Sequence, residues 1–155
     1  MNKKLIECVP NFSEGRDLSI VKQITNEIES IDGIKLLDVD PGQATNRTVV
    51  TFVGTPEAVV DAAFKAIVKA SELIDMSKHT GEHARMGATD VCPFIPVSNI
   101  SMEETSEWAV KLAKKVGETT NIPTYLYGNS QPNTDRNVLS DIRTGEYEGF
   151  FDYQI

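Results

Sequence analysis

The stretch IKLLDVDPGQATNRTVVTFVGTPEAVVDAAFKAIVKAS, residues 34–71, decides the fold predicted for this chain. Its two runs of apolar and β-branched residues, Ile34–Asp40 and Asn46–Val53, predict two strands, because such side chains suit a half-buried pleated surface. Thr55 is a natural N-cap with proline at the next position, where a helix tolerates it. A helix is predicted from there to about Ser77, with an alanine stripe that lets it lie close to a sheet.

Further elements are predicted on both sides of this stretch. On the N-terminal side, a strand over Lys3–Val9 and a polar loop over Asn11–Asp17 precede a helix over Leu18–Ser30. On the C-terminal side, the predicted elements are strands Asp90–Val97 and Pro123–Gly128 and helices Met102–Val116 and Val138–Arg143. The order β-α-β-β-α-β-α-β-α favours a single α/β (α+β) domain over residues 1–155, with a mixed sheet and helices on its outer face.

The charge argues against two classes of main partner, nucleic acid and anionic membranes. The formal net charge is −8 and the pI is about 4.7, whereas nucleic acids and anionic membranes both require a basic surface. No apolar run approaches the ~20 residues of a membrane-spanning helix. We therefore expect a cytoplasmic protein whose cysteines, Cys8 and Cys92, have no partner spacing in the sequence and stay reduced.

Both histidines of the chain lie in HTGEHARMGATDVCPFIPV, residues 79–97. Histidine is the side chain whose unperturbed pKa, ~6.5, permits proton transfer near neutral pH. His79 and His83 could share a metal in a continuous helix, but Gly81 makes that helix doubtful, and no metal is expected. A surface or helix-capping role remains open for both, more so for His79 than for His83, which Arg85 and Asp90 flank.

Asp38 and Asp40 flank one residue near the end of a predicted strand, so their side chains should point the same way. An aspartate there could hydrogen-bond a histidine and stabilise its protonated form. Turn formation or capping before Pro41-Gly42 is the alternative for both.

Polar side chains in two further loops could surround an acidic small molecule. Arg47 offers a planar fork that suits a carboxylate, and it follows Asn46 in one loop. The other loop contains Asn11, Ser13 and Arg16. A solvated surface position is the alternative for both arginines.

Four motifs give the chain a resemblance to a known family. They are ECVPNFSEGRD (7–17), LLDVDPGQATNRTVVTFVG (36–54), LIDMSKHTGEHARMGATDVCPFIPV (73–97) and PTYLYG (123–128). Together they resemble the amino-terminal subdomain of the glutamate formiminotransferase family, from about Leu5 to Tyr147. One departure is Ala84, where the family pattern suggests proline.

The resemblance implies transfer of the formimino group of N-formimino-L-glutamate to N5 of tetrahydrofolate, as a co-substrate, in histidine degradation. It implies that His83 is the catalytic acid and base and that Asp40 assists it. The candidate residues for binding substrate are Arg47, Asn46, Arg85, Asn11, Ser13 and His79.

The family domain pairs two such subdomains with folate between them, and only the first is expected in these residues. We therefore expect either a formiminotransferase, acting alone or with a second-subdomain chain, or a non-catalytic folate- or protein-binding module. A homodimer is expected from the resemblance alone.

Overall fold

The computed structural model describes residues 3–77, 87–122, 124 and 126. In this part of the chain six strands build one sheet, and three helices accompany it. The strands are β1 (Leu5–Cys8), β2 (Asn11–Phe12), β3 (Ile34–Gly42), β4 (Arg47–Gly54), β5 (Thr89–Val91) and β6 (Phe94–Ser98). The helices are α1 (Leu18–Glu29), α2 (Pro56–Leu73) and α3 (Met102–Thr119). The predicted strand at 123–128 and the predicted helix at 138–143 fall, apart from residues 124 and 126, outside the described residues.

The sheet has four rows, because two pairs of short strands lie end to end. β1 and β2 form one row against β4, and β3 lies along the other side of β4. β6 and β5 form the outer row against β1 and β2. The order across the sheet is therefore β3, β4, β1 with β2, and β6 with β5.

The α/β class with helices packed on a sheet is confirmed, but the expected mixed sheet is wrong for the described strands. All of their pairings are antiparallel. The reason lies in the two helical crossovers, each of which passes over one row: α1 leads from β2 past β4 to β3, and α2 leads from β4 past β2 to β5. Strands joined by a helix run parallel but are not neighbours, which is the split β-α-β arrangement.

Prolines shape the strands differently from the prediction. The expected single strand at 90–97 is divided into β5 and β6 at Pro93, and Pro10 likewise separates β1 from β2. Proline lacks the N–H group that a central ladder needs. Pro41 does not end β3, which continues to Gly42, because β3 pairs only with β4 among the described strands and proline is tolerated at such an edge. Asn11, expected in a loop, lies in β2.

The core lies between one face of the sheet and the three helices. Its strand side includes Ile6, Val50 and Phe52, and all three are fully buried. The predicted alanine stripe of α2 packs against them, and its four members are fully buried: Ala62, Ala63, Ala66 and Ala70. Without branched side chains at these positions the helix axis can lie close to the sheet, so the tight packing follows directly from the sequence.

Two predicted helix caps are present. The Asp17 carboxylate accepts a hydrogen bond from Ser19 N at the start of α1, and Ser101 Oγ accepts one from Glu104 N at the start of α3. Thr55 holds the cap position of α2 without a side-chain cap bond. Among the described residues, no helix has the length and apolar character needed to cross a bilayer.

The opposite face of the sheet is not covered by these helices. Leu37, Ile95 and Val97 project there and are 49%, 41% and 52% exposed. Ile95 pairs in register with Glu7, Glu7 pairs with Val53, and Val53 pairs with Lys35. Directly paired residues lie on the same face of a sheet, so Val53 and Lys35 share this face. We call this surface the open face.

Candidate functional site

Three connecting segments meet where β2 ends and where β4 and β5 begin. The backbone N–H of Ser13 donates to Ala88 O at 2.8 Å, and its hydroxyl donates to Gly87 O at 2.7 Å. Gly15 N donates to Asn46 Oδ1 at 2.9 Å. The loop after β2 is therefore bound both to the β3–β4 turn and to the residues just before β5.

Gly15 allows this close approach because it has no side chain. A Cβ atom at this position would lie 2.6 Å from Arg47 N and would also overlap Gly42 O. These are backbone atoms, which cannot rotate away as a flexible side chain could. Asn46 completes the junction: its φ of 51° is left-handed, a region that asparagine tolerates better than most residues.

Arg47 lies at the centre of this junction. Its Nε donates to Asn11 Oδ1 at 2.8 Å, and its Nη1 lies 2.9 Å from Asp90 Oδ2. The side chain of Arg47 is 13% exposed and that of Asp90 is 2% exposed, so this ion pair is largely removed from water. The guanidinium is thus held in one orientation by one amide and one carboxylate.

A β-bulge brings Asp90 to this position. Asn11 pairs with Val91 and Phe12 pairs with Thr89, so Asp90 is the extra residue of β5. A bulge re-aims side chains relative to the regular alternation. Asp90 was not among the predicted binding residues, although a carboxylate inside an apolar strand ending in proline was a usable signal. Glu14 was also missed, and its Oε2 accepts from Arg16 N and Asp17 N, which fixes the loop.

Asp38 and Asp40 lie on the open face, as predicted from their spacing. They pair in register with Thr51 and Val49, and both are exposed. Val49 in turn pairs with Asn11 across β4. Asp40 therefore lies two rows from Asn11, or roughly 10 Å at ordinary strand spacing.

The structure brings together four of the predicted binding residues: Asn11, Ser13, Asn46 and Arg47. Arg16 lies at the same junction, where its Nε donates to Gln43 O at 2.9 Å. His79, His83 and Arg85 lie outside the described residues, in the segment that connects α2 to Gly87. Within the described residues, no group of three His, Cys, Asp or Glu side chains could hold a metal ion.

Comparison with known proteins identifies the same family as the sequence motifs. A family model for the formiminotransferase domain, N-terminal subdomain, matches residues 5–154. Formimidoyltransferase-cyclodeaminase of Mus musculus is 54% identical over 145 residues, and that of Dictyostelium discoideum is 52% identical over 146 residues. Glutamate formimidoyltransferase of Streptococcus pyogenes serotype M1 is 42% identical over 146 residues.

These matches cover most of this chain but only part of each relative. Each of the three covers 94% of the chain, but 27% of either bifunctional protein and 49% of the streptococcal one. The chain thus spans about half, or about a quarter, of the length of these relatives. With the family model matching nearly every residue, the chain belongs to the formiminotransferase family and corresponds to the N-terminal subdomain of its transferase domain.

Proposed function

We propose that this chain supplies the N-terminal half of a site that transfers the formimino group of N-formimino-L-glutamate to N5 of tetrahydrofolate. The observation that carries the proposal is the family match over residues 5–154. The names of the relatives, formimidoyltransferase-cyclodeaminase and glutamate formimidoyltransferase, support the same chemistry. We place the reaction in histidine degradation, with tetrahydrofolate as co-substrate.

The proposed reaction requires two proton transfers. N5 attacks the amidine-like carbon of the formimino group and loses a proton, and the departing glutamate nitrogen must gain one. A neutral histidine can take the first proton and return it to the leaving nitrogen, which typically accelerates a reaction ~10²–10⁴-fold. We propose His83 for this role, with Asp40 stabilising its protonated form.

The open face supports the part proposed for Asp40. Its carboxylate is exposed on the same face as the Asn11–Arg47 contact. It is therefore accessible to a substrate, or to a side chain that approaches this face. Asp38 lies on the same strand and face but has no proposed part in the reaction, which makes it a natural control.

We propose that Arg47, Asn46, Asn11 and Ser13 form the substrate-binding end, together with Arg85 and His79. Nε of Arg47 contacts Asn11 and its Nη1 contacts Asp90. These contacts orient the guanidinium before substrate arrives. A pre-oriented fork binds a carboxylate with less entropy loss than a freely rotating side chain.

The rest of the site is proposed to come from the second half of the transferase domain. The streptococcal relative is about twice the length that the match covers. Excluding water from the reacting groups generally requires a closed site, and the open face leaves Asp40 accessible to solvent. A second-subdomain partner is therefore part of the proposal. We also propose a homo-oligomer, from the family resemblance, and a cytoplasmic location, from the sequence.

The test is an assay of formimino transfer with tetrahydrofolate and N-formimino-L-glutamate. The chain is assayed alone and then with a polypeptide carrying the unmatched half of the streptococcal transferase. Turnover only with the added polypeptide supports the proposal, whereas turnover of the chain alone would show that the second half is not needed. No turnover in both cases, with substrate binding intact by calorimetry, favours the alternative of a non-catalytic binding module.

Two substitutions then test the residue roles in whichever preparation turns over. His83→Ala should lower kcat by roughly 10²-fold or more, if histidine provides general acid–base catalysis. Asp40→Asn should also lower kcat, whereas the matched variant Asp38→Asn should not. Equal effects of the two aspartate variants would remove Asp40 from the mechanism.

A further inference from the structure

The two cysteines, which have no partner spacing in the sequence, lie side by side in the fold. Cys8 and Cys92 are 84 positions apart, and their Sγ atoms are 3.5 Å from each other. Both are free thiols. A disulfide has an S–S distance of about 2.05 Å, so the sulfurs need to approach by only about 1.5 Å.

The backbone around them is less regular than elsewhere in the sheet. Cys8 ends β1 just before the break at Pro10, and Cys92 lies in the break between β5 and β6. Val9 N donates to Pro93 O at 3.2 Å and links the two breaks. Cys8 pairs in register with Phe52 and Phe94, whereas Cys92 lies between two strands, so a small shift of Cys92 toward Cys8 disturbs few ladder hydrogen bonds.

The two thiols differ in access to solvent. Cys8 is fully buried in the core, whereas Cys92 is partly exposed. Burial and the hydrogen bond with Cys92 raise the pKa of the Cys8 thiol. Cys8 is therefore protonated near neutral pH, and a reagent from solvent reaches Cys92 first.

We propose that Cys8 and Cys92 form a reversible disulfide modification site that responds to hydroperoxides. In the first step the Cys92 thiolate attacks the O–O bond of hydrogen peroxide, which forms an S–O bond and releases hydroxide. In the second step the Cys8 sulfur attacks the Cys92 sulfur, which forms the S–S bond and breaks the S–O bond. The departing oxygen takes the Cys8 proton and leaves as water, so two electrons pass from the two sulfurs to the peroxide.

The bond would join two breaks that lie next to the candidate site. Asn11 is three residues after Cys8, and Asp90 is two residues before Cys92. These are the two groups that hold Arg47. The disulfide would therefore tie the end of β1, just before the strand that carries Asn11, to the residue that follows the strand carrying Asp90, and it would close a long loop of the chain.

The experiment treats the full chain with dilute hydrogen peroxide under native conditions. Intact-mass spectrometry should show the loss of two hydrogen masses, and thiol titration after denaturation should fall from two thiols to none. Dithiothreitol should reverse both changes. Thermal unfolding of the oxidised chain should occur about 10 °C higher than that of the reduced chain, because a cross-link across so long a loop restricts the unfolded state.

The variant Cys92→Ala is the matched control, because that position is partly exposed whereas Cys8 is fully buried in the core. It should lose the peroxide-dependent rise in Tm, and its remaining Cys8 thiol should react slowly. Two free thiols after peroxide treatment of the unsubstituted chain would overturn the proposal. Sulfinic acid at Cys92, or a disulfide between two chains in place of one within a chain, would overturn it as well.

Discussion

The Arg47–Asp90 ion pair gives a quantitative prediction for the junction at the candidate site. Asp90→Asn keeps the shape of the side chain but removes its charge, which leaves the guanidinium of Arg47 without its carboxylate in a site where the two side chains are 13% and 2% exposed. Removing one partner of a buried ion pair costs about 3–5 kcal/mol. We expect a value near the lower end, about 3 kcal/mol, because the asparagine amide oxygen still accepts a hydrogen bond.

The assay is urea unfolding, supported by thermal unfolding. In a chain of this size each kcal/mol shifts the Tm by roughly 2–4 °C, so Asp90→Asn should lower it by about 6–12 °C. Arg47→Met should be similarly destabilising. The double variant should cost less than the sum of the two, by about 1–3 kcal/mol, because the two side chains interact directly and each single variant already removes that interaction.

The control is a lysine–aspartate ion pair on the surface. Lys115 Nζ lies 3.2 Å from Asp61 Oδ1, and the two side chains are 42% and 54% exposed. Asp61→Asn should cost less than about 1 kcal/mol, since water and salt screen such pairs. If Asp90→Asn proves no more destabilising than Asp61→Asn, the reasoning from burial is refuted.

Three further predictions concern one loop glycine and the starts of the helices. Gly15→Ala should destabilise the chain by more than about 2 kcal/mol in urea unfolding, because the new Cβ meets backbone atoms of the β3–β4 turn; a loss under about 0.5 kcal/mol would contradict that close approach. Ser101→Ala should cost about 1 kcal/mol through loss of its cap bond, whereas Thr55→Ala should cost less, since Thr55 makes no side-chain cap bond; equal costs would argue against the cap. Hydrogen bonds from Ser19 lower the pKa of Asp17 below its ordinary value of 3.8. The stability that this carboxylate gives is therefore present above that value and is lost as the pH falls through the lowered pKa. The Tm difference between the unsubstituted chain and Asp17→Asn should shrink in acid, and a constant difference would exclude the effect.

The sequence alone predicted the features that depend on neighbouring residues. The helix starts after Asp17, Thr55 and Ser101 follow from local capping chemistry, and all three are present. The buried alanine stripe of α2 follows from helical spacing. Family membership was also accessible, because long motifs such as residues 73–97 retain their order along the chain.

The tertiary structure decided what depends on contacts between distant residues. The antiparallel pairing of the sheet follows from which row each helical crossover passes over. The hydrophobic pattern of a strand specifies which of its faces is buried, but not which strand lies beside it. The bulge that turns Asp90 toward Arg47 depends on the register between β2 and β5. The approach of Cys8 to Cys92 joins two residues that are 84 positions apart in the chain. Local patterns thus determine which segments fold and which faces are apolar, whereas only the packed chain determines which polar groups meet, because that outcome requires every row of the sheet to be in place.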